Sequence, residues 1–187
     1  MRIIAGRLGG RLLKTVEGEG YRPAMGRTRE ALFSMLAARG LNWSTARILD
    51  LFAGSGSLAF EAVSRGAPHA LLVESAPQAV RCLTANTAAL GLQDQVRLLA
   101  EDVLRVLKRP PDAPYDLVFM DPPYRKRLAD PALRLLVQRG WLAPGAFVTA
   151  EVEKEARLSP PPELRPEGKL RYCCTQLPAD GQLPEDA

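Results

Sequence analysis

The hydrophobic pattern of the chain alternates between short apolar runs and longer segments with helical spacing. The apolar runs predict buried strands over residues 48–52, 70–74, 96–99, 116–120 and 146–152. Between them, helical spacing predicts helices over residues 58–65, 77–90 and 131–139. Beyond a run of three prolines, the segments around Leu164 and over residues 172–177 predict a final β pair. Strict alternation of strands and helices indicates an α/β fold, in which a mostly parallel sheet carries helices on both faces.

The first 47 residues follow a different pattern. Two short runs, Arg2–Gly6 and Arg11–Thr15, are separated by glycines and predict a β-hairpin. An amphipathic helix is predicted over residues 27–39, where Gly40 provides the stop. We therefore divide the chain into a basic hairpin extension (residues 1–21), one α/β domain (22–177) and a flexible acidic tail (178–187).

The bulk composition is that of a soluble globular protein, with 187 residues of which 47% are hydrophobic and 25% charged. No apolar run approaches the roughly 18 residues of a membrane span, and no secretory signal is recognised. We therefore expect a cytoplasmic monomer without a membrane partner. The three cysteines and the single His69 lack the spacing of a zinc site, so we expect neither a bound metal nor a disulfide framework.

The charge of the chain is unevenly distributed, although the net charge is only +4. Residues 1–47 contain nine lysines and arginines against three acidic residues, whereas the last ten residues contain three acids and no base. A basic end on a nearly neutral body is typical of proteins that bind phosphate groups, most often those of nucleic acid.

Acidic residues stand at or near the carboxyl ends of four predicted strands: Asp50, Glu74, Asp102 and Asp121. Ligands of open parallel sheets bind beyond the carboxyl ends of the strands, where these side chains meet. Any one of them is explained as the N-cap of a following helix. Four acids at one edge repel each other, so together they predict a ligand that satisfies them.

A glycine-rich turn, Gly54-x-Gly56-x-x-Ala59, follows the first predicted strand and matches a dinucleotide-binding fingerprint, with Glu74 at a suitable distance for a ribose hydroxyl. A tight turn that packs a helix against the sheet would explain the same glycines. Asp50 distinguishes between ligands, because a carboxylate beside this loop disfavours a pyrophosphate and favours an α-ammonium group. The ligand that fits is a nucleoside with an amino-acid tail, S-adenosylmethionine.

In this interpretation Glu74 holds the ribose hydroxyls, Asp102 accepts from the adenine amino group, and the glycines let the backbone approach the amino-acid tail. The predicted cofactor-binding residues are Asp50, Phe52, Gly54, Gly56, Glu74, Asp102 and Val103.

The tetrapeptide Asp121-Pro122-Pro123-Tyr124 follows the fourth apolar run. Two prolines end the strand because neither donates a backbone N–H. Alone, the motif is typical of a rigid turn. Beside a methyl donor, the Asp121 carboxylate and the Pro122 carbonyl predict a pair of acceptors for an exocyclic amine, on which Tyr124 stacks. We therefore expect catalytic roles for Asp121, Pro122 and Tyr124 in amino-methyl transfer.

The segments Asp50–Gly56 and Asp121–Tyr124 together resemble the class I methyltransferases that modify exocyclic amines. More narrowly, the chain resembles the bacterial 16S ribosomal RNA guanine-N2 methyltransferase family over roughly residues 2–155. The residues that carry this resemblance are Arg2–Gly6, Arg22-Pro23, Arg27–Phe33, Glu61–Ala67 and Gly140–Leu142. The resemblance implies a Rossmann-like class I methyltransferase fold with a central seven-stranded, mostly parallel sheet, whose last strand is antiparallel, and an RNA-contacting N-terminal hairpin.

The resemblance also implies the reaction and the partner. The substrate is one guanine of 16S ribosomal RNA, free or within the small subunit or an assembly intermediate, and the product of the cofactor is S-adenosylhomocysteine. The residues expected to contact RNA are Arg2, Arg7, Arg11, Arg22, Arg125, Lys126 and Arg127. The chain departs from the family at Ala24 and Gly26, where Thr and Asp are usual. Because Gly at an N-cap costs only a few tenths of a kcal/mol, we expect the following helix to persist.

Three other functions are compatible with parts of the pattern. A DNA adenine-N6 methyltransferase uses the same acceptor pair, but this chain has no room for a separate target-recognition domain. A nicotinamide-dependent oxidoreductase would need a Tyr-x-x-x-Lys pair or a catalytic histidine, and neither is found. An RNA-binding assembly factor without catalysis shares the basic segment. The choice of guanine rests on the resemblance, since the acceptors suit the amines of adenine and cytosine equally well.

Overall fold

The computed structural model describes the backbone of residues 1–16, 26–123, 127–151, 159–169 and 172–176, and the side chains of these residues except 26, 27 and 166–176. The helices are α1 (Gly26–Ala38), α2 (Ser57–Ser64), α3 (Pro77–Leu90), α4 (Val103–Leu107) and α5 (Ala129–Gln138). The strands are β1 (Arg47–Leu51), β2 (His69–Val73), β3 (Val96–Leu99), β4 (Tyr115–Met120), β5 (Leu142–Glu151), β6 (Arg165–Lys169) and β7 (Tyr172–Gln176). The acidic tail and four predicted site residues lie outside the described residues: Arg22, Tyr124, Arg125 and Lys126.

The strands form one sheet in the order β3-β2-β1-β4-β5-β7-β6. The first five pair in parallel, which confirms the predicted α/β class. Strand β7 is antiparallel to both β5 and β6. The strand order reverses between β1 and β4, so the connections that follow these strands diverge and leave a crevice at their carboxyl ends.

Three elements differ from the expectation. Helix α4 was not predicted, because its five residues are too few to show a helical period. Strand β5 begins at Leu142 rather than at residue 146, with a register shift against β4 at this end. In the described part of the N-terminal hairpin, residues 1–16, there is one isolated β-bridge, Arg2 with Leu12, instead of two strands. Helix α1 forms as predicted, but it spans Gly26–Ala38 rather than residues 27–39, so Gly26 is its first residue rather than its N-cap.

Side chains alternate across the sheet and form two apolar layers. On one side, which we call the first face, Ile48, Leu72 and Phe119 pack with α1, α2 and α3. On the other, the second face, Leu51 and Val118 pack with α4 and α5. Side-chain alternation therefore decides which strand-end residues belong to which layer. Among the described residues, no helix has the length and apolar character needed to cross a membrane.

The described part of the N-terminal extension is packed against the first-face layer. Ile3 and Leu13 are buried there. The buried carboxylate of Glu61 in α2 accepts hydrogen bonds from the backbone N–H groups of Ile4 (2.7 Å) and Ala5 (3.0 Å), and pairs with Arg65 at 2.9 Å. A side chain thus supplies acceptors that a neighbouring strand would otherwise provide.

We expect Glu61→Ala to lower the free energy of unfolding by about 2–3 kcal/mol, because two backbone donors and Arg65 lose a buried charged acceptor. In thermal unfolding this corresponds to a decrease of about 4–10 °C. Glu101→Ala is the matched control, since Glu101 also pairs with an arginine, Arg109, but at the surface. Its melting temperature should stay essentially unchanged, and an equal decrease for both variants would contradict the role of Glu61.

Candidate active site at the carboxyl edge of the sheet

Four acidic side chains share the first face at the carboxyl edge of the sheet. Asp50 follows Ile48 by two residues, Glu74 follows Leu72, and Asp121 follows Phe119, so side-chain alternation directs all three to the same layer. The fourth is Glu151, the last residue of β5, which was not predicted as a site residue. Glu151 lies two residues after Thr149 and four after Phe147, so the side-chain alternation that places the other three acids also indicates its position. The structure therefore brings together Asp50, Glu74 and Asp121 and adds Glu151.

Asp50 is buried behind the glycine loop, with only 3% of its surface exposed. Its Oδ2 accepts a hydrogen bond from the N–H of Ala59 in the first turn of α2, at 3.2 Å. Desolvation raises the pKa of Asp50 well above that of an ordinary aspartate. The Ala59 hydrogen bond opposes this shift, while the nearby charges of Asp121 and Glu74 add to it. A cationic ligand would relieve the repulsion.

Glu74 shapes the glycine loop through its carboxylate. Oε2 accepts from the N–H of Gly54 at 3.0 Å, and Oε1 accepts from the N–H groups of Ser75 and Ala76, both at 2.8 Å. Because each carboxylate oxygen has two lone pairs, one direction on Oε2 remains for a ligand hydroxyl. The arrangement suits the predicted ribose contact.

The turn that contains Gly54 and Gly56 is left-handed at several positions. Phe52, Gly54 and Gly56 have φ values of 60°, 56° and 78°. A left-handed backbone is uncommon for a bulky residue such as Phe52 and is often found at functional sites. At Gly56, an added Cβ would lie 2.4 Å from Cε2 of Phe60 and 2.7 Å from Cδ2 of Leu83. Helix packing is therefore sufficient to explain Gly56, whereas Gly54 is held by Glu74.

Asp102 and Val103 lie at the start of α4. Asp102 is exposed and caps this helix, because its Oδ1 accepts from the N–H of Arg105 at 2.9 Å. A carboxylate retains acceptor capacity beyond one such bond. Val103 is buried in the second-face layer directly behind it. At the start of α4, the Asp102 carboxylate can therefore accept a further hydrogen bond from a ligand, and Val103 provides apolar surface next to it.

Asp121 follows the last residue of β4, and its N–H lies 3.5 Å from the carbonyl oxygen of Leu51. The residue retains exposed surface, yet neighbouring protein atoms desolvate its carboxyl group. This desolvation, followed by repulsion from Glu151, raises the pKa of Asp121 to about 7. A carboxyl group with a pKa near neutrality is well suited to accept a proton from a substrate. Pro122 beside it is half-buried and Pro123 is exposed.

The edge therefore disfavours anionic groups and offers acceptors to cations and to N–H or O–H donors. A pyrophosphate would meet the carboxylates of Asp50 and Glu74, which argues against a dinucleotide. Within the described part of the chain, no three His, Cys, Asp or Glu side chains are grouped so that they could hold a metal ion.

The hairpin arginines lie away from the acidic edge. Arg11 donates to the carbonyl of Ala89 at 3.0 Å, near the end of α3, and Arg7 donates to the side chain of Gln95, which precedes β3. Both contacts are toward the amino edge of the sheet, because α3 runs antiparallel to the strands. The 14 residues of α3 correspond to about 20 Å. The structure thus does not bring these arginines together with Asp121.

The other described basic residues of the predicted RNA-binding set are Arg2 and Arg127. Arg2 is exposed and donates to the carbonyl of Gly10 at 2.8 Å within the hairpin. Arg127 is exposed and has a φ of 47°. It lies six residues after Asp121, on the connection to α5, so it is the described base of this set nearest in sequence to the acidic edge.

We expect Gly56→Ala to destabilise the fold by about 2–4 kcal/mol, because it combines a left-handed backbone with a clash against Phe60. Gly140→Ala is the matched control, since Gly140 has a φ of 70° but open space where a Cβ atom would lie. It should cost about 1–2 kcal/mol from backbone strain alone. Urea unfolding measures both, and equal losses would refute the packing explanation.

Comparisons with known proteins agree with this architecture. Residues 1–169 match the family model described as conserved hypothetical protein 95. Ribosomal RNA small subunit methyltransferase D of Haemophilus influenzae is 38% identical over 86% of this chain and 83% of its own length. The protein of the same name from Escherichia coli is 35% identical over 100% of this chain and 94% of its own.

A solved structure shows the same fold. The structure of yhhF from Escherichia coli superposes with a TM-score of 0.81 at 34% identity, covering 96% of this chain and 98% of that one. The five parallel strands are thus those of an α/β methyltransferase fold. On this evidence, the chain belongs to the conserved hypothetical protein 95 family, which is the methyltransferase family that its sequence resembles.

Proposed function

We propose that the protein transfers a methyl group from S-adenosylmethionine to the exocyclic N2 amine of a guanine in bacterial 16S ribosomal RNA. The observation that carries this proposal is the position of Asp121, on the same face as the acid-lined glycine turn and electrostatically coupled to Asp50. An acceptor for an amine and a site for a cationic ligand are thereby adjacent. The names of the Haemophilus influenzae and Escherichia coli relatives support ribosomal RNA of the small subunit as the substrate.

The residues present fit S-adenosylmethionine. Burial raises the pKa of Asp50 most, and the charges of Asp121 and Glu74 add to the shift. The ammonium and sulfonium groups of this cofactor would offset the part that comes from these charges. Glu74 would accept from a ribose hydroxyl through the remaining direction on Oε2, and Asp102 from the adenine amino group. When bound, the cofactor supplies an activated methyl group and leaves as S-adenosylhomocysteine.

Asp121 and Pro122 would hold the target amine. The amine of a nucleobase is a weak nucleophile because its lone pair is conjugated with the ring. Hydrogen bonds from its two N–H groups to the Asp121 carboxylate and the Pro122 carbonyl would fix its orientation, an effect of proximity rather than of basicity. The proton released from nitrogen would pass to Asp121, whose pKa is about 7. Tyr124, outside the described residues, would stack on the base.

Two groups of basic residues would hold the rest of the RNA. Arg125, Lys126 and Arg127 directly follow the acceptor motif in sequence, and Arg22 precedes α1. Arg2, Arg7 and Arg11 would contact phosphates along the α2–α3 side. Because Arg11 and Asp121 are separated by about the length of α3, roughly 20 Å, this arrangement favours a large folded RNA over a free nucleotide. The proposed substrate implies action in the bacterial cytoplasm, and we propose that the protein acts as a monomer.

Methyl transfer from labelled S-adenosylmethionine to three substrates tests the proposal: small subunits from a strain deleted for the gene, protein-free 16S RNA and plasmid DNA. We expect label in RNA, recovered as N2-methylguanosine after digestion. Label only in DNA would establish the adenine alternative, and label in an RNA adenine or cytosine would refute the base assignment. RNA binding without transfer by the wild type would establish the assembly-factor alternative.

The pH dependence of the rate tests Asp121 directly. Ionised Asp121 accepts hydrogen bonds and a proton, so the single-turnover rate should rise with pH through about 7 and then level off. Asp121→Asn should lower the rate by about 10²–10⁴-fold and remove this dependence. A wild-type rate that does not change between about pH 6 and about pH 8 would contradict the assignment.

The same substitution has a stability signature that serves as its folding control. The raised pKa means that the folded state favours protonated Asp121, so the wild type loses stability as pH rises toward and through about 7. Asp121→Asn should therefore unfold with a free energy about 1–2 kcal/mol higher than the wild type above pH 7, a value reduced for solvent screening. The difference should decrease as the pH falls toward 4, in the range of an ordinary aspartate pKa.

A further inference from the structure

The side chain of Asn86 connects two parts of the molecule that are distant in sequence. Asn86 lies in α3 and is only 2% exposed. Its Oδ1 accepts from the N–H of Lys14 at 2.8 Å. Its Nδ2 donates to the carbonyl oxygens of Lys14 and Ser55, both at 3.0 Å. Both donors and the acceptor of the carboxamide are thus used.

The nitrogen and oxygen partners of Asn86 are backbone groups in segments without a strand neighbour, and the sulfur of Cys82 lies 3.7 Å from its Nδ2. Lys14 belongs to the N-terminal extension, and its N–H and carbonyl pair with the carboxamide as they would with an adjacent strand. Ser55 lies between Gly54 and Gly56 in the left-handed turn. From its other side this turn is held by Glu74, which accepts from the N–H of Gly54. Two side chains, Glu74 and Asn86, therefore fix the Ala53–Gly54 and Ser55–Gly56 peptide groups of the turn.

We propose that Asn86 is a positioning residue that couples the N-terminal extension to the glycine turn, so that docking of the Lys14 segment and cofactor affinity depend on each other. The inference rests on the proposed function, since it takes S-adenosylmethionine as the ligand of the turn. Asn86 itself touches neither cofactor nor RNA in this scheme. Linkage is reciprocal, so cofactor binding should also tighten the pairing of Lys14 with Asn86. If Asn86 only satisfied buried backbone groups, its substitution would lower the stability of the fold and leave the affinity for the cofactor unchanged.

The first test compares Asn86→Ala with Thr87→Ala. Thr87 is the next residue of α3, and its Oγ1 donates to the carbonyl of Leu83 at 2.9 Å, a contact within the helix. Asn86→Ala removes the hydrogen bonds to Lys14 and Ser55 and leaves the Lys14 carbonyl only the Cys82 thiol as a side-chain donor, whereas Thr87→Ala removes only a contact within the helix. Isothermal titration with S-adenosylhomocysteine should show about five- to tenfold weaker binding for Asn86→Ala and no change for Thr87→Ala, with melting temperatures recorded for both.

The second test uses the wild type alone and decides the matter if Asn86→Ala fails to fold. Hydrogen exchange at the Lys14 amide should slow when S-adenosylhomocysteine is added, while the Trp141 amide, bonded to Leu136 on the opposite side of the sheet, serves as the reference. Unchanged exchange at Lys14, or equal affinity of a folded Asn86→Ala variant, would overturn the inference while leaving the proposed function intact. A wild type that does not bind S-adenosylhomocysteine would overturn the proposed function itself.

Discussion

Repulsion between carboxylates at one edge of the sheet is the constraint on which the rest of the site depends. Parallel strands end at the same edge, and side-chain alternation directs Asp50, Glu74, Asp121 and Glu151 to one face. The protein stabilises the first two with backbone N–H groups, one for Asp50 and three for Glu74. Desolvation, and after it repulsion from the neighbouring acids, raises the pKa values of Asp50 and Asp121. A cationic ligand is the group that would lower this repulsion most directly.

The N-terminal extension is held by the same means, with side chains in place of a sheet. Glu61 accepts from two backbone N–H groups, Ser64 accepts from the N–H of Leu8 at 3.0 Å, and Asn86 pairs with Lys14. Because these contacts satisfy the backbone, the hairpin needs only one bridge of its own. Two runs that look like strands in the sequence therefore adopt a less regular structure, in which helix side chains act as strand partners.

The parts of the fold that were predictable from sequence are those with strong local signals. Helix α3 begins at Pro77 and ends before Gly91 as predicted, because proline favours the first turn and Gly91 adopts a left-handed cap. Helix α4 lacks such signals over five residues. Glu74 and Asp121 were recognisable because each stands at the end of an apolar run, and Asp50 because it precedes the glycine-rich turn. Glu151 lay inside a predicted strand, so only its alternation with Phe147 indicated the site.

Other features depend on contacts between distant segments. Asn86 occupies an ordinary helical position, and nothing in its local sequence indicates its backbone partners. Sequence patterns thus locate the groups that bear charge, while the residues that position them emerge only from the fold.

The charge distribution also constrains how the proposed RNA substrate would approach. The acidic edge would repel phosphate groups, whereas Arg7 and Arg11 lie near the opposite edge, where they would attract them. An RNA helix that approached with its backbone toward Asp121 would meet four carboxylates. A base turned out of the helix presents an uncharged N–H donor instead, and its flanking phosphates can remain beside basic residues. The same repulsion that favours a cationic cofactor therefore favours insertion of a single extruded base over any closer approach of the RNA backbone.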